Sequence, residues 1–257
     1  MRKVGLITGA SSGIGKELAI IHASKGNNVV LTARRLPELE TLAEEIRTKY
    51  QVEAYVMAID LTERDAPNKI YAFTEKEGLF VDYLFNNAGF GGHGKFVERQ
   101  LEADKAMINL NVVALTDLMH LYLPNMVKNK FGKVLNVAST AGFIAGPLLA
   151  TYFATKAFVI SLTKATSFEL RHTGVSVTAL CPGPVKTEFE VVAGMSGSKM
   201  FAKGADAYSA ALCGYKAMMK GKRTIISDVN LRFLLRIVKP FVPERIMLSI
   251  IEKRSSI

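Results

Sequence analysis

Short apolar runs alternate along this chain with longer stretches of helical periodicity, and that alternation leaves few folds open. "KVGLIT" (residues 3–8) has the pattern of a buried strand, and "IGKELAIIHASKG" (14–26) follows with helical spacing that ends at Gly26. "NVVLTA" (28–33), a helix over "LPELETLAEEIRTKY" (36–50) and "VEAYVMAID" (52–60) repeat the pattern. A helix over 64–77, "VDYLFNNAG" (81–89), a long helix from about Glu102 to Asn129, "GKVLNVAS" (132–139), a helix over "ATYFATKAFVISLTKATSFEL" (150–170) and "VSVTALCPG" (175–183) extend it. Apolar strands joined by helices make a parallel sheet covered on both faces. The expected class is therefore α/β, doubly wound. No internal repeat, low-complexity segment or long linker divides residues 1–257, so one domain is expected.

Two segments leave the alternation. Residues 188–205 have no clean period and hold Gly194, Ser196, Gly197 and Ser198, which suits a mobile lid; with the helix expected over 205–220 they make a substrate lid region, 188–220. Residues 229–257 form a C-terminal extension in which apolar and basic residues interleave, broken by Pro240 and Pro243. Leu231, Phe233, Leu234, Ile237 and Phe241 beside Arg232, Arg236 and Lys239 have the composition of an interfacial helix. Contact with a membrane surface competes there with packing inside an oligomer, and packing is preferred.

Charge and composition exclude several classes. The formal net charge is +10, but the basic residues are spread without a long run, so no nucleic-acid partner is expected. The four histidines (His22, His93, His120, His172) are scattered and Cys181 and Cys213 are isolated, so neither a metal site nor a disulfide framework is expected. A reducing cytoplasm is the simplest location. The apolar run before Gly9 is too short for a signal peptide, and no run of about 18 uncharged apolar residues suggests a spanning helix.

"TGASSGIG" (8–15) stands between the first strand and the first helix, where a phosphate-binding turn belongs. Gly9 allows the sharp turn, Gly13 lets backbone approach a pyrophosphate, and Gly15 lets the helix pack close; the helix N-terminus then faces the phosphates. The second strand ends "LTARR". Ala33 stands where an NAD site wants an acid, and Arg34 follows, suited to a 2′-phosphate. NADP(H) is thus expected, with Arg34 the main ligand, Ser11 or Ser12 assisting, and Arg35 the competing candidate should the strand end one residue later.

Tyr152 and Lys156 of "YFATK" are four apart on a helix, which stacks phenol and ammonium on one face. An ammonium that close lowers a phenol's pKa. Together with "TGASSGIG", "NNAG" (86–89), "NVAST" (136–140), "PGPVKT" (182–187) and Asn111 in "INLNVVAL", the pair resembles the motif set of the short-chain dehydrogenase/reductase family over residues 1–190.

The resemblance implies a Rossmann-like domain with a seven-stranded parallel sheet, "TIISD" supplying the last strand, and an extended C-terminus of a bacterial type. It implies catalysis by Asn111, Ser139, Tyr152 and Lys156. Tyr152 would donate the proton, Lys156 would also hold the nicotinamide ribose, Ser139 would bond the substrate oxygen, and Asn111 would hold a water beside the lysine. Cofactor contacts are implied for Gly9, Ser11, Ser12, Gly13, Ile14, Gly15, Asp60, Asn87, Pro182, Gly183, Val185 and Thr187; Asp60 reads equally as a helix-capping residue. Phe90, Phe143, Leu148 and Phe189 would line an apolar substrate pocket with Met195 and Met200 in the lid, and His93 reads as a substrate contact or a loop histidine. The expected function is hydride transfer between NADP(H) and a hydrophobic carbonyl or alcohol, in a homodimer or homotetramer. The alternative is a non-catalytic dinucleotide-binding regulatory or scaffold protein.

Overall fold

Strand β1, Arg2–Thr8, alternates its apolar side chains between two faces: Leu6 points into one core cluster and Ile7 into the other, both fully buried. A strand apolar on both faces must be covered on both. The structure, a computed structural model, describes residues 2–198, 200–201 and 204–256, and for Arg236 the backbone alone. After β1 come α1 (Gly13–Ala23), β2 (Asn28–Ala33), α2 (Leu36–Tyr50), β3 (Ala54–Ala58), α3 (Ala66–Lys76) and β4 (Leu79–Asn86). Then follow α4 (Leu101–Ile108), α5 (Leu115–Lys128), β5 (Gly132–Val137), α6 (Ala150–Glu169) and β6 (Val175–Cys181). The chain ends with α7 (Phe189–Val192), α8 (Ala207–Met219), β7 (Thr224–Ile226), α9 (Val229–Phe233) and α10 (Glu244–Ser255). Every strand pair is parallel, and the order is β3-β2-β1-β4-β5-β6-β7. The single Rossmann-like domain with seven parallel strands is as expected, and element ends differ from the pattern by a few residues.

Leu18, Leu39, Leu42, Ile46, Tyr215 and Met218 cover one face from α1, α2 and α8. Ile70, Leu118, Tyr122, Met126, Val159 and Ile160 cover the other from α3, α5 and α6. The continuous helix Leu101–Lys128 is long and apolar enough to cross a membrane by composition alone. It lies instead against the sheet, burying Met107, Leu118, Met119 and Tyr122. A π-helical turn over Asn109–Ala114 joins α4 to α5 and turns Asn111 inward, to 2% exposure.

Strand order reverses between β1 and β4, which opens a crevice at the carboxyl ends of those strands. The glycine turn after β1 and "NNAG" at the end of β4 both lie there. Buried amides keep β4 and β5 in register: Asn86 Nδ2 donates to Asn136 Oδ1 at 2.9 Å, and Asn136 Nδ2 donates to Thr163 Oγ1 of α6 at 2.9 Å.

His22 of α1 is fully buried among Tyr83, Phe85 and Tyr215, with ring centroids 4.6, 5.2 and 5.9 Å away. Its ring fills the space above Gly5, where a Cβ would stand 2.5 Å from Cδ2. Burial pushes the imidazole down to about 3, so it stays neutral in the fold. In the unfolded chain it takes a proton near pH ~6.5, so folding stability should fall from that pH downward by about 1.4 kcal/mol per pH unit until the folded group also titrates. Urea unfolding at pH 7, 6 and 5 should show this slope in the wild type and a shallower one in His22→Leu.

Candidate active site

Thr8 closes β1 with a hydroxyl that serves three partners. It donates to the Phe85 carbonyl at 3.3 Å and accepts from the backbone N–H groups of Asn87 and Ala88, each at 3.0 Å. Asn87 Nδ2 returns to the carbonyls of Thr8 and Gly9 at 2.9 and 3.2 Å. The glycine turn is thereby fixed to the end of β4. Gly9 takes φ +66°, and a Cβ on Gly15 would stand 2.2 Å from the Gly9 carbonyl oxygen. Ser12 gives α1 no side-chain cap, so the first-turn N–H groups of Gly13, Ile14 and Gly15 face the crevice as donors. Across it, Thr187 Cγ2 stands 3.0 Å from where a Gly13 Cβ would be. A slot floored by glycine, open at a helix N-terminus and walled by Thr187, fits a pyrophosphate.

At the end of β2 the two arginines separate. Arg34 is exposed, whereas Arg35 turns to the glycine loop and donates from Nη2 to Ser11 Oγ at 3.3 Å. The same guanidinium engages Glu188, Nη1 to Oε1 at 3.2 Å and Nη2 to Oε2 at 2.8 Å. Asp60 Oδ1 accepts from the N–H and hydroxyl of Thr62 at 2.9 and 2.8 Å, so it organises the turn after β3. Among the residues of "PGPVKT", the Pro182 carbonyl accepts from Thr140 N at 2.9 Å, Val185 bridges to Ala205, and Gly183 packs under Leu231, where a Cβ would stand 2.6 Å from Cδ1.

Ser139, Tyr152 and Lys156 converge. Ser139 follows β5 and caps the 3₁₀ turn Thr140–Phe143, its Oγ accepting from Ala141 N at 3.1 Å. Tyr152 and Lys156 occupy the first turns of α6, and Lys156 Nζ is 5.8 Å from the Tyr152 ring centroid. Lys156 is 5% exposed and donates to the Val137 carbonyl at 2.9 Å. Asn111 stands opposite: a Cβ on Gly89 would meet Asn111 Oδ1 at 2.9 Å and Lys156 Nζ at 3.3 Å. The Asn111 amide holds the Phe90 backbone, accepting from N at 3.2 Å and donating to O at 3.0 Å, and donates to Thr155 Oγ1 at 3.1 Å.

The electrostatics differ from the simple ammonium–phenol expectation. Burial pushes the Tyr152 phenol up to about 12, and the opposing influence is a hydrogen bond with Ser139. Burial pushes Lys156 down to about 8, with nearby Cys181 pulling it partly back. The ammonium is turned to the Val137 carbonyl, and burial is the larger influence on the phenol.

The apolar part of the site is assembled from distant segments. Phe189 leans on Tyr152 with centroids 5.2 Å apart, and on Phe201 at 6.1 Å. Ala141, Leu149, Phe153, Ala193, Met195 and Ile251 complete this cluster, with Ile144, Met200 and Met247 at its margin. His93 and Leu148 instead share a cavity of about 540 Å3 with Lys95, Ser249, Glu252, Lys253 and Ser256. Leu148 is held at φ +65°, a strained conformation for a leucine, and its carbonyl accepts from Gly94 N at 2.9 Å. Phe143 lies on the other side, packed toward the main core with Lys164 Nζ 5.7 Å from its ring; Phe90 contributes backbone to the Asn111 contact. Sequence reasoning missed α10 as a wall of the site; the one signal was chain length beyond the last strand.

Residues 3–196 match the family model described as short chain dehydrogenase. The chain belongs to the short-chain dehydrogenases. It is 36% identical over 183 residues to a 7β-hydroxysteroid dehydrogenase of Collinsella aerofaciens, covering 71% of this chain and 69% of that protein. A solved short-chain dehydrogenase from Sphingobium yanoikuyae in complex with NADPH is similar at TM-score 0.85 and 28% identity, over 97% of this chain and 96% of the other. A structure of a 7β-hydroxysteroid dehydrogenase is similar at TM-score 0.87 and 29% identity, over the same shares. As a short-chain dehydrogenase the chain is an oxidoreductase that uses a nicotinamide dinucleotide and acts on CH–OH or C=O groups.

Lys156 of this short-chain dehydrogenase leaves a measurable trace without any ligand. Its folded pKa of about 8 lies below its ordinary value, so between the two the unfolded chain holds the proton that the folded one has lost. The cost of burying the charge is fully present below pH 8, and stability should rise with pH above it, by at most about 1.4 kcal/mol per unit. Urea midpoints between pH 7.5 and 9.5 should rise less steeply for Lys156→Met than for the wild type.

Proposed function

We propose that the protein is an NADPH-preferring reductase of a hydrophobic carbonyl compound, working reversibly on the matching alcohol, with Tyr152 as proton donor. The observation that supports this reading most is the convergence of Ser139, Tyr152 and Lys156 beside the glycine-floored slot. Gly9, Ser11, Ser12, Gly13, Ile14, Gly15, Asp60, Asn87 and the Pro182–Thr187 segment would hold the dinucleotide, which would supply the hydride when bound. Ser139 Oγ positions the substrate oxygen and stabilises the charge that develops on it. Tyr152, whose phenol keeps its proton at neutral pH in the unliganded site, transfers that proton to the oxygen. Lys156, once turned from Val137 toward the cleft, stabilises the phenolate left behind and holds the nicotinamide ribose. Asn111 fixes the Phe90 loop beside the lysine and keeps the route for reprotonation in place.

The non-catalytic scaffold alternative gains no support, because all four catalytic residues are present and gathered at one crevice. Tyr152→Phe should lower kcat by at least about a hundredfold, the scale of lost acid catalysis, while the NADPH dissociation constant stays within about twofold. A near wild-type rate with any good ketone would remove Tyr152 from the reaction.

The substrate is proposed to be a bulky apolar ketone or secondary alcohol, polycyclic ones included. Phe189, Phe201, Met195, Phe153 and Ile251 around Tyr152 favour area over hydrogen bonding, and hydroxysteroids are what two similar proteins act on by name. A second copy of the chain suits the outer faces of α4 to α6, where Leu101, Ile108, Val113, Phe158 and Phe168 are exposed. In the extension, Arg232 donates to the Ile226 carbonyl and Lys239 to that of Phe143, so two basic residues that suggested a membrane surface serve internal packing. The Arg236 side chain lies outside the described residues. A cytoplasmic location fits this reading.

NADPH preference is proposed to rest on Arg35 rather than Arg34, because Arg35 already meets Ser11. A charge-assisted hydrogen bond to phosphate is worth about 1.5–3 kcal/mol, or roughly 10- to 150-fold in affinity. Arg35→Ala should weaken NADPH by that factor and leave NADH within about twofold, whereas Arg34→Ala should have the smaller effect. Titrating both cofactors by fluorescence checks this, and equal affinity of the wild type for NADH and NADPH would overturn it.

A further inference from the structure

We propose that Glu188 is a built-in counter-ion that fills the fork of Arg35 until the 2′-phosphate of the dinucleotide replaces it, and that this exchange is transmitted to Tyr152 through Phe189. The proposal rests on the reading of Arg35 as the 2′-phosphate ligand.

The Arg35 guanidinium here joins one carboxylate, Glu188, to the Ser11 hydroxyl of the glycine loop. Arg35 engages Glu188 with both terminal nitrogens, at 3.2 and 2.8 Å. Arg35 Nη2 also reaches Ser11, and Arg35, with Ser12 assisting, holds the Glu188 carboxyl below its usual range. A planar carboxylate matches the guanidinium fork, and a phosphate matches it as well with more oxygens and more charge. The two anions cannot share the fork without repulsion, so exchange is favoured over joint occupancy. Glu38 also lies 3.4 Å from Arg35 Nη1, but it sits on α2 three residues away and moves with the arginine. Glu188 comes from the far wall of the cleft, 153 residues away.

That distance gives the contact its consequence. Glu188 immediately precedes α7, and the next residue is Phe189, whose ring rests on Tyr152. The Phe189 ring also crosses Gly91, where a Cβ would stand 2.7 Å from Cζ, and the Ala193 carbonyl accepts from His93 N at 3.0 Å. The short helix is therefore tethered at one end to the dinucleotide side and at the other to the substrate side. Removing Glu188 from Arg35 frees the first tether and leaves the second. The ring over Tyr152 can then move, and only a ligand that carries the 2′-phosphate releases it. Both side chains of the pair are partly exposed, at 41% and 57%, so the exchange is easy and its effect modest.

The test is calorimetric titration of the full chain with 2′,5′-ADP, NADPH and NADH, for wild type, Glu188→Gln, Arg35→Ala and the double variant. Glu188→Gln is expected to tighten 2′,5′-ADP and NADPH by about two- to fivefold, the scale of an exposed ion pair, with NADH changed less than that. The gain should vanish in the double variant. Hydrogen exchange supplies a readout independent of turnover: 2′,5′-ADP should speed amide exchange over residues 189–193 of the wild type, 5′-AMP should not, and Glu188→Gln should exchange fast without ligand. Weakening of NADPH and NADH alike in Glu188→Gln would overturn the proposal and make Glu188 a clamp over the bound dinucleotide. No change in affinity or exchange would reduce the pair to a surface contact and overturn it too. If Arg35→Ala weakens NADPH while Glu188→Gln fails to tighten it, the phosphate reading stands and this inference alone falls. If Arg35→Ala leaves NADPH binding intact, both fall.

Discussion

The hydroxyl of Thr8 holds together the point on which the rest of the site depends. It joins the last residue of β1 to the end of β4, across the place where strand order reverses. A parallel sheet offers no lateral backbone pairing beyond its strand ends, so a crevice at the reversal must be held by side chains. One buried hydroxyl meets one carbonyl and two N–H groups there, and Asn87 answers with its amide on the next turn. Losing any one partner would strand a buried polar group, which costs about 1–3 kcal/mol. The glycine turn can therefore present free N–H groups to a ligand because its own geometry is maintained from behind.

The same logic carries from the crevice to α6. Asn86 hands on to Asn136, and Asn136 to Thr163 of α6, through fully buried amides. A chain of hydrogen bonds inside an apolar layer favours one register, because a slip would break both of its links at once. Ser139 leaves β5 three residues after Asn136, and Tyr152 lies on the helix that Thr163 anchors. Their meeting is thus set by packing between strand and helix rather than by a local turn. Burial then decides protonation: it favours the neutral phenol of Tyr152 and weakens the ammonium of Lys156.

The sheet, its helices and the crevice were legible in the sequence because each follows from short-range pattern. Period two or unbroken apolarity marks strands, and glycine marks the turn where a Cβ would collide, as at Gly15. The tyrosine and lysine were legible because spacing on a helix is geometry. Which of Arg34 and Arg35 turns outward and which toward Ser11 was not, because alternation along a strand that ends at Ala33 does not decide it. Asn111 reads as one polar residue in an apolar helix; only the π-helical turn, whose extra residue per turn rotates it inward, shows why its amide meets Phe90. Phe143 and Leu148 fell near the expected pocket in sequence, yet the chain turns Phe143 toward Lys164 and the core and sets Leu148 against the final helix.

Substrate choice was the least legible part, and the structure shows the physical reason. Hydride transfer requires a few groups at fixed distances, and fixed distances leave motifs. An apolar wall requires only volume and shape, which many side chains can supply. Here Phe153 comes from α6, Met195 and Phe201 from the segment after α7, and Ile251 from α10, almost a hundred residues of chain gathered in one apolar cluster against which Tyr152 packs. The segment after α7 and the extension are also tied to each other, since Ser198 Oγ donates to the Arg254 carbonyl at 3.1 Å, and Lys239 reaches back to the turn that begins at Ser139. The extension thus closes the same site from two sides. A change in its packing shifts the apolar cluster beside Tyr152 without touching Ser139 or Lys156, because the cluster and the polar constellation are built from different segments.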